Sequence, residues 1–412
     1  MITPSVCPCT CIQEPAGVRF LTHERIHATN TLNTLLPLFS PLDFRKRLYS
    51  KTDVVDSIIY ACTSATSITE TCGSLAHMPS RQGVQYHLAK IDISRVDAAA
   101  VSRVLQQKRV MKVLGQKAAD MAFDITKVPY HGQPEREGDI LRRGAAESGT
   151  THFFMYASAY VMLYGRRFTV AIKYVRADES LTDVVRYLQS EVQKRAGVRI
   201  KCLFLDKGFF TAAVISYLNS VRIPYIMAAF PRGRKGGRLS KLTRKRRDSF
   251  VVPDYEIIDS NTGEKCTFRL YAVAKYRKKK YRKKKRGVQY IYYAAGNGVN
   301  IPVESMFDLY RRRFGIESSY RTMKKSRGRT SSRSAVLRLL HILVSFVIQN
   351  EWVYVKWQYL SKTTRGRYGR KYDSKFTYFR MRQFLRLALE KVYGAVNAVL
   401  IENSRSIVGD GG

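Results

Sequence analysis

At 412 residues with 45% hydrophobic side chains, the chain can bury at least one large core and divide into two or three folding units, which excludes a disordered protein. Its 72 Lys and Arg against 32 Asp and Glu leave a formal net charge of +40, far more than solubility needs, so the expected partner is a polyanion. Basic residues recur along the whole chain among 26 Tyr, which favours nucleic acid over a membrane surface.

Residues 1–40, with Pro4, Pro8, Pro15 and Pro37, read as a poorly structured lead-in. The opening "MITPSVCPCTCIQEPAG" lacks a basic start followed by an apolar run, so no secretory signal is expected. Seven Cys, an odd number, fit a reduced intracellular compartment better than a disulfide framework, so a cytoplasmic protein is expected. Cys7, Cys9 and Cys11 form a C-x-C-x-C cluster, but with no second Cys or His pair at ligand spacing they read as reduced thiols in a tail.

Residues 41–116 read as a helical DNA-binding region. "TDVVDSIIYACTSA" has helical apolar spacing, Ser67 to Glu70 is a capping box, and Ser80 follows the breaker Pro79. Two short helices joined through Ala76 to Pro79 make a helix-turn-helix, whose second helix would present Arg81, Gln82, Gln85 and His87 to a DNA groove. A plain structural hairpin is the alternative. A helical connector is expected from Ala98 to Gln116.

Residues 117–230 and 300–360 read as an α/β core. Strands are expected at "MAFDIT", "THFFMYASAYVMLY" and "RRFTVAIKYV", then a helix, the apolar run "IKCLFL" ending at Asp206, a helix from Thr211 and the strand "IPYIMAAF". The order β-β-β-α-β-α-β describes a mixed sheet with helices packed on it. Residues 231–299 read as a basic, β-rich insertion with three strands. Inside it, "YRKKKYRKKKRG" is too charged for a core and reads as a phosphate-gripping hairpin tip, with Lys278, Lys279, Lys283 and Lys284 on DNA and Tyr276 and Tyr281 stacking; a solvated loop is the bland alternative. Leu339 to Gln349, interrupted by His341, is too short to span a bilayer and is expected to be a buried helix. Residues 361–412 read as a basic helical C-terminal region.

Between 308 and 325, six Arg and Lys surround only two acids, Asp308 and Glu317. Helical phase at about 100° per residue brings Tyr310, Arg313, Glu317 and Lys324 within a sector of about 60°, beside an apolar edge of Leu309, Ile316, Tyr320 and Met323. Glu317 between Arg313 and Arg321 can be ordinary ion pairing. Asp124, however, sits inside the apolar run Met121 to Ile125, where a bare charge is costly. Asp206 stands at the carboxyl end of a strand, where ligands gather in α/β sheets. Three carboxylates with no Cys or His cluster suit a hard cation such as Mg²⁺ or Mn²⁺. Asp206 opening a turn and Asp124 hydrogen-bonded near a strand end are the structural alternatives.

Tyr310, Arg313, Glu317 and Lys324 fit the spacing Y-x2-R-x3-E-x6-K, which resembles the hallmark of the DDE transposases of prokaryotic insertion sequences, in the branch conventionally numbered four. "FDITKVPYHG", "SGTTHFFMYASAYV" and "LFLDKGF" are similar to that family's surroundings of its first two acids, and the likeness runs from about Thr52 to about Trp357. The resemblance implies an RNase H-like core carrying an insertion before Glu317. It implies that Asp124, Asp206 and Glu317 are catalytic ligands of two Mg²⁺ or Mn²⁺ ions, with Tyr310, Arg313 and Lys324 holding the DNA end and Arg321 beside them. Asp120 and Asp139 are the neighbouring candidates for the first acid. His131 is either a base contact or a structural histidine. Implied partners are double-stranded DNA, both transposon ends and target, and a second copy of the chain in a homodimer; no membrane is expected. The competing functions are a non-enzymatic DNA-binding protein and a nuclease that cuts without joining.

Overall fold

The computed structural model describes residues 26, 31–39, 49–91, 110, 112, 118–134, 140–163, 165–194, 198–231, 237–243, 246–259, 262–263, 265–276, 288–363, 370–372 and 375–397. Cys7, Cys9, Cys11, Asp139, Tyr281, Lys278, Lys279, Lys283 and Lys284 lie outside the described residues, as does most of the connector expected from 98 to 116.

The first helices start where local chemistry directs. Ser50 and Asp53 form a capping box opening α1 (Lys51–Ser64), and Ser67 and Glu70 form another opening α2 (Ile68–Ser74). Ser80 accepts from the Gly83 amide to open α3 (Arg81–Ala89), so both short helices begin at the expected caps. Such caps satisfy amide groups that a helix start leaves open, each worth about 1 kcal/mol.

The core is one mixed sheet. Strands β1 (Ala119–Pro129), β2 (Arg142–Glu147), β3 (Thr150–Leu163) and β4 (Arg166–Val175) precede α4 (Leu181–Lys194), β5 (Ile200–Leu205), α5 (Ala212–Ser220) and β6 (Tyr225–Ala229). β1 pairs antiparallel with β3, and β3 with β4; β1 pairs parallel with β5, and β5 with β6. The order β4-β3-β1-β5-β6 with these directions is the expected RNase H-like arrangement. β2, antiparallel to β3, is an addition with little apolar patterning: RRGAAE is largely exposed.

The segment expected as an insertion does not stand apart. After α6 (Gly237–Thr243), strands β7 (Phe250–Ile258), β8 (Lys265–Tyr276) and β9 (Val288–Gly296) form a meander, and β9 pairs antiparallel with β6, giving nine strands in all. β6 would otherwise present an open edge, and β9 covers it.

Strand alternation assigns side chains to opposite faces. Met121 and Phe123 of β1 join the cluster under α4 and α5, with Val185, Leu188, Val214 and Leu218. Ala122 faces the other way, toward Met306 and Tyr310 of α7 (Val303–Arg311), Ile316 and Tyr320 of α8 (Gly315–Lys324), and Leu343 and Val347 of α9 (Ala335–Gln358). Asp120 and Asp124 share the Ala122 face. The stretch read with one helical phase between 308 and 325 falls on two helices joined by a 3₁₀ turn, Arg312–Phe314.

α9 is the buried helix anticipated around Leu339 to Gln349. It is the one described helix long and apolar enough to cross a membrane, and 78% of its most apolar window is buried inside the protein. Where β4 bulges, Asn350 of α9 accepts from the Thr169 amide at 2.9 Å and donates to the Thr169 carbonyl at 2.7 Å, replacing ladder bonds. Beyond a short hairpin, β10 (Ser361–Thr363) and β11 (Arg370–Tyr372), α10 (Tyr378–Tyr393) packs on α1. The Tyr393 hydroxyl lies 2.7 Å from Asp53 and 2.9 Å from the buried Asp56, so α1 and α10, far apart in sequence, form one helical body.

Candidate active site

Asp124 lies mid-strand in β1, opposite Ser158 of β3, and its Oδ1 accepts from the Ile125 amide at 2.9 Å. Asp206 follows the last residue of β5, one strand over, and begins the 3₁₀ turn Lys207–Phe209. Parallel pairing of β1 with β5 brings these positions side by side: Phe123 stands beside Leu205. Glu317 is in the first turn of α8, on the helix layer above.

All three carboxylates converge on one guanidinium. Arg313 reaches Asp124 Oδ2 at 3.4 Å, Asp206 Oδ1 at 3.3 Å and Glu317 Oε1 at 3.2 Å. Side-chain exposure rises outward, from 5% for Arg313 and 14% for Asp124 to 35% for Asp206 and 52% for Glu317. Burial is the largest influence on Asp124 and pushes its carboxyl up to about 6, with Asp206 and Glu317 adding to the rise and Arg313 opposing it. Burial also disfavours the Arg313 charge, but Tyr310 and the three carboxylates outweigh it, so its pKa lies above the ordinary value.

Neighbours hold this constellation in place. Tyr310 is buried and donates to the Leu205 carbonyl at 2.8 Å, tying α7 to the residue before Asp206. The Tyr160 hydroxyl lies 3.1 Å from the Arg312 carbonyl and 2.9 Å from that of Arg313, where the helix pitch changes. Tyr320 and Ser158 pair at 2.8 Å beside Asp124. Gly315 allows close packing, since a Cβ there would overlap Arg167. Tyr160 and Ser158 escaped sequence reasoning, and Tyr320 was read only as part of an apolar edge, because nothing local marks a hydroxyl in an apolar run as a brace.

The sequence-derived candidates separate. Asp124, Asp206, Glu317, Arg313 and Tyr310 come together, with Arg313 and Tyr310 turned inward onto protein partners. Arg321 and Lys324 are exposed on α8, and among the described residues Glu317 pairs with Arg313 and not with Arg321. Asp120 is engaged elsewhere, by Arg312 at 3.2 Å. Arg81 and Gln82 are exposed, Gln85 is half-buried, and His131 is exposed. The basic tip falls outside the described residues.

An all-carboxylate donor set suits a hard divalent cation, and here it surrounds a positive charge, the Arg313 guanidinium, which stands in for one. As they stand, no three described His, Cys, Asp or Glu side chains are gathered tightly enough to hold a metal ion.

The family model described as the transposase DDE domain matches residues 116–350, more than half of the chain, and spans all three acids. The chain belongs to this DDE transposase family. Among solved structures, the transposase fold is similar to piggyBac transposase in a synaptic complex with hairpin DNA, with a TM-score of 0.49 and 10% identity over 91% of this chain and 82% of that one. No curated protein matches the chain.

Proposed function

We propose that this DDE transposase binds the terminal repeats of an insertion sequence, cleaves the DNA ends by metal-dependent phosphodiester hydrolysis and joins the 3′-hydroxyl ends to target DNA, as in the branch sharing the Y-x2-R-x3-E-x6-K spacing. The observation that carries this reading is the convergence of Asp124, Asp206 and Glu317, from two strands and a helix, on one buried cation.

Asp124, Asp206 and Glu317 would hold Mg²⁺ or Mn²⁺, in two ions. When bound, these supply the charge that activates water or a DNA 3′-hydroxyl and steadies the leaving oxygen. The chain's own residues do the rest. Arg313 orients the three neighbouring carboxylates and opposes the burial that raises the Asp124 carboxyl. Tyr310 fixes the strand end that carries Asp206. Exposed Lys324 and Arg321 meet DNA phosphates, Lys as a point charge and Arg with paired donors. The net charge of +40 draws the polyanion in. A homodimer bridging two ends, and a cytoplasmic, nucleoid-associated setting, complete the proposal.

The test is Mg²⁺-dependent cleavage and strand transfer on the element's own end, with Asp124→Asn, Asp206→Asn and Glu317→Gln. Each variant should retain DNA binding and lose cleavage. Cleavage by all three at the wild-type rate refutes the site; binding without cleavage by the wild type indicates a non-enzymatic binder, and cleavage without joining a plain nuclease.

A further inference from the structure

Between α2, α3 and the loop leading into α9 lies a cavity of about 390 Å³. Its wall includes Arg81 and Gln85 from α3, Arg329 and Ser332 from the loop, and Ser334 and His341 from the start of α9. Arg81 and Arg329 are exposed, so two guanidinium groups stand at a solvent-facing rim. The floor is apolar, with Leu88 and Leu337 both buried. The Arg329 amide donates to the Thr66 carbonyl at 2.8 Å, which ties the loop to the turn before α2 and closes that side.

α9 is 24 residues long, has no acid in its first turn, and opens at this cavity behind its cap, Ser334. The positive end of its dipole therefore faces the same space as the two arginines. A second observation is independent of charge. His341 is 1% exposed, lines the cavity, and its Nε2 has no hydrogen-bond partner among the described residues. Burial, with Arg327 and Arg338, keeps the imidazole neutral by holding it down to about 4. Cys62 Sγ stands 3.8 Å from its Nδ1, and Gly328 packs so closely that a Cβ there would overlap the ring. The ring is thus held in place while one polar atom goes unmatched, a cost that a suitably placed oxygen would recover.

Two arginines, several hydroxyls, a helix N-terminus and an unmatched imidazole nitrogen specify an anion with several acceptor oxygens. We propose that this cavity takes a backbone phosphate of bound DNA, locking the helix-turn-helix to the catalytic domain. The inference rests on the DNA-binding reading above and changes one part of it. Arg81, Gln85 and Leu88 share the cavity face of α3, while Gln82 and Tyr86, the latter 61% exposed, remain on the outward face. Arg81 then grips a phosphate and does not read a base.

The test uses the full chain and its Arg81→Ala/Arg329→Ala variant, both changes at exposed positions. Binding of a labelled duplex of about 20 base pairs, followed by anisotropy from about 50 to 200 mM KCl, should weaken about tenfold in the variant, with the salt slope shallower by about 0.9. In chain labelled with ¹⁵N-histidine, the His341 ring signal, assigned by its loss in His341→Phe, should move on adding inorganic phosphate and on adding the duplex, and in the variant with neither. If the wild type binds duplex but the variant keeps its affinity and slope, this site is overturned while DNA binding stands. Movement of the His341 signal with phosphate but not with duplex overturns DNA as the source of the phosphate. Failure of the wild type to bind duplex overturns the DNA-binding reading itself.

Discussion

Arg313→Met removes the one cation shared by three carboxylates while keeping most of the side-chain volume. Breaking a buried ion pair from one side costs about 3–5 kcal/mol, because the remaining charge is left without compensation. Here most of that cost falls on Asp124, whose side chain is 14% exposed; Asp206 and Glu317, at 35% and 52%, are screened by solvent and contribute less. The loss depends on pH. Asp124 already titrates at about 6 in the folded chain, and without Arg313, which lowers that value, it rises further. For an acid whose folded pKa lies above its unfolded one, the native state is penalised increasingly as pH rises from the unfolded value toward the folded one, and not at all where both states are protonated. Urea unfolding in EDTA should therefore show a loss of about 3–5 kcal/mol near pH 8 that shrinks by more than half near pH 4. An equal loss at both pH values would mean that Arg313 matters through packing, and would refute the reasoning.

Tyr310→Phe leaves the buried Leu205 carbonyl without its donor and should cost about 1–2 kcal/mol by urea unfolding, with weakened cleavage because Asp206 follows that carbonyl. Asn350→Leu strips both backbone groups of Thr169 of their side-chain partners at the β4 bulge, and should lower stability by about 2–5 kcal/mol in the same assay; a neutral result would mean that water replaces the amide. His341, neutral in the folded chain down to about 4, contributes its full share of stability above its unfolded pKa and loses it as pH falls toward the folded one. Wild type should therefore lose about 3 kcal/mol relative to His341→Phe between about pH 7 and pH 4 in phosphate-free buffer, and a difference that does not vary with pH would exclude it.

Much of this architecture was legible locally. Capping boxes at Ser67 and at the start of α1, the Thr211 cap, and period-two runs such as RRFTVAIKYV mark elements whose backbone preferences are set within a few residues. The position of Asp206 after an apolar run and of Glu317 four residues beyond Arg313 were equally visible. The weakly patterned β2 was not, because its side chains are largely exposed and its pairing comes from β3. The 3₁₀ turn before α8 was also hidden, since its braces, Tyr160 and Arg167, are about 150 residues away in the chain.

Periodicity and charge thus determined a basic α/β chain, and the resemblance carried by Tyr310, Arg313, Glu317 and Lys324 implied the DDE type that the family match shows. Only tertiary packing decided that Arg313 turns inward to hold all three acids, that β9 continues the sheet past β6, that α10 joins α1, and that Arg81 meets His341 across a cavity. The reason is physical: torsional preference and side-chain period act over one or two turns, whereas strand register and the packing of faces are settled between segments far apart in sequence.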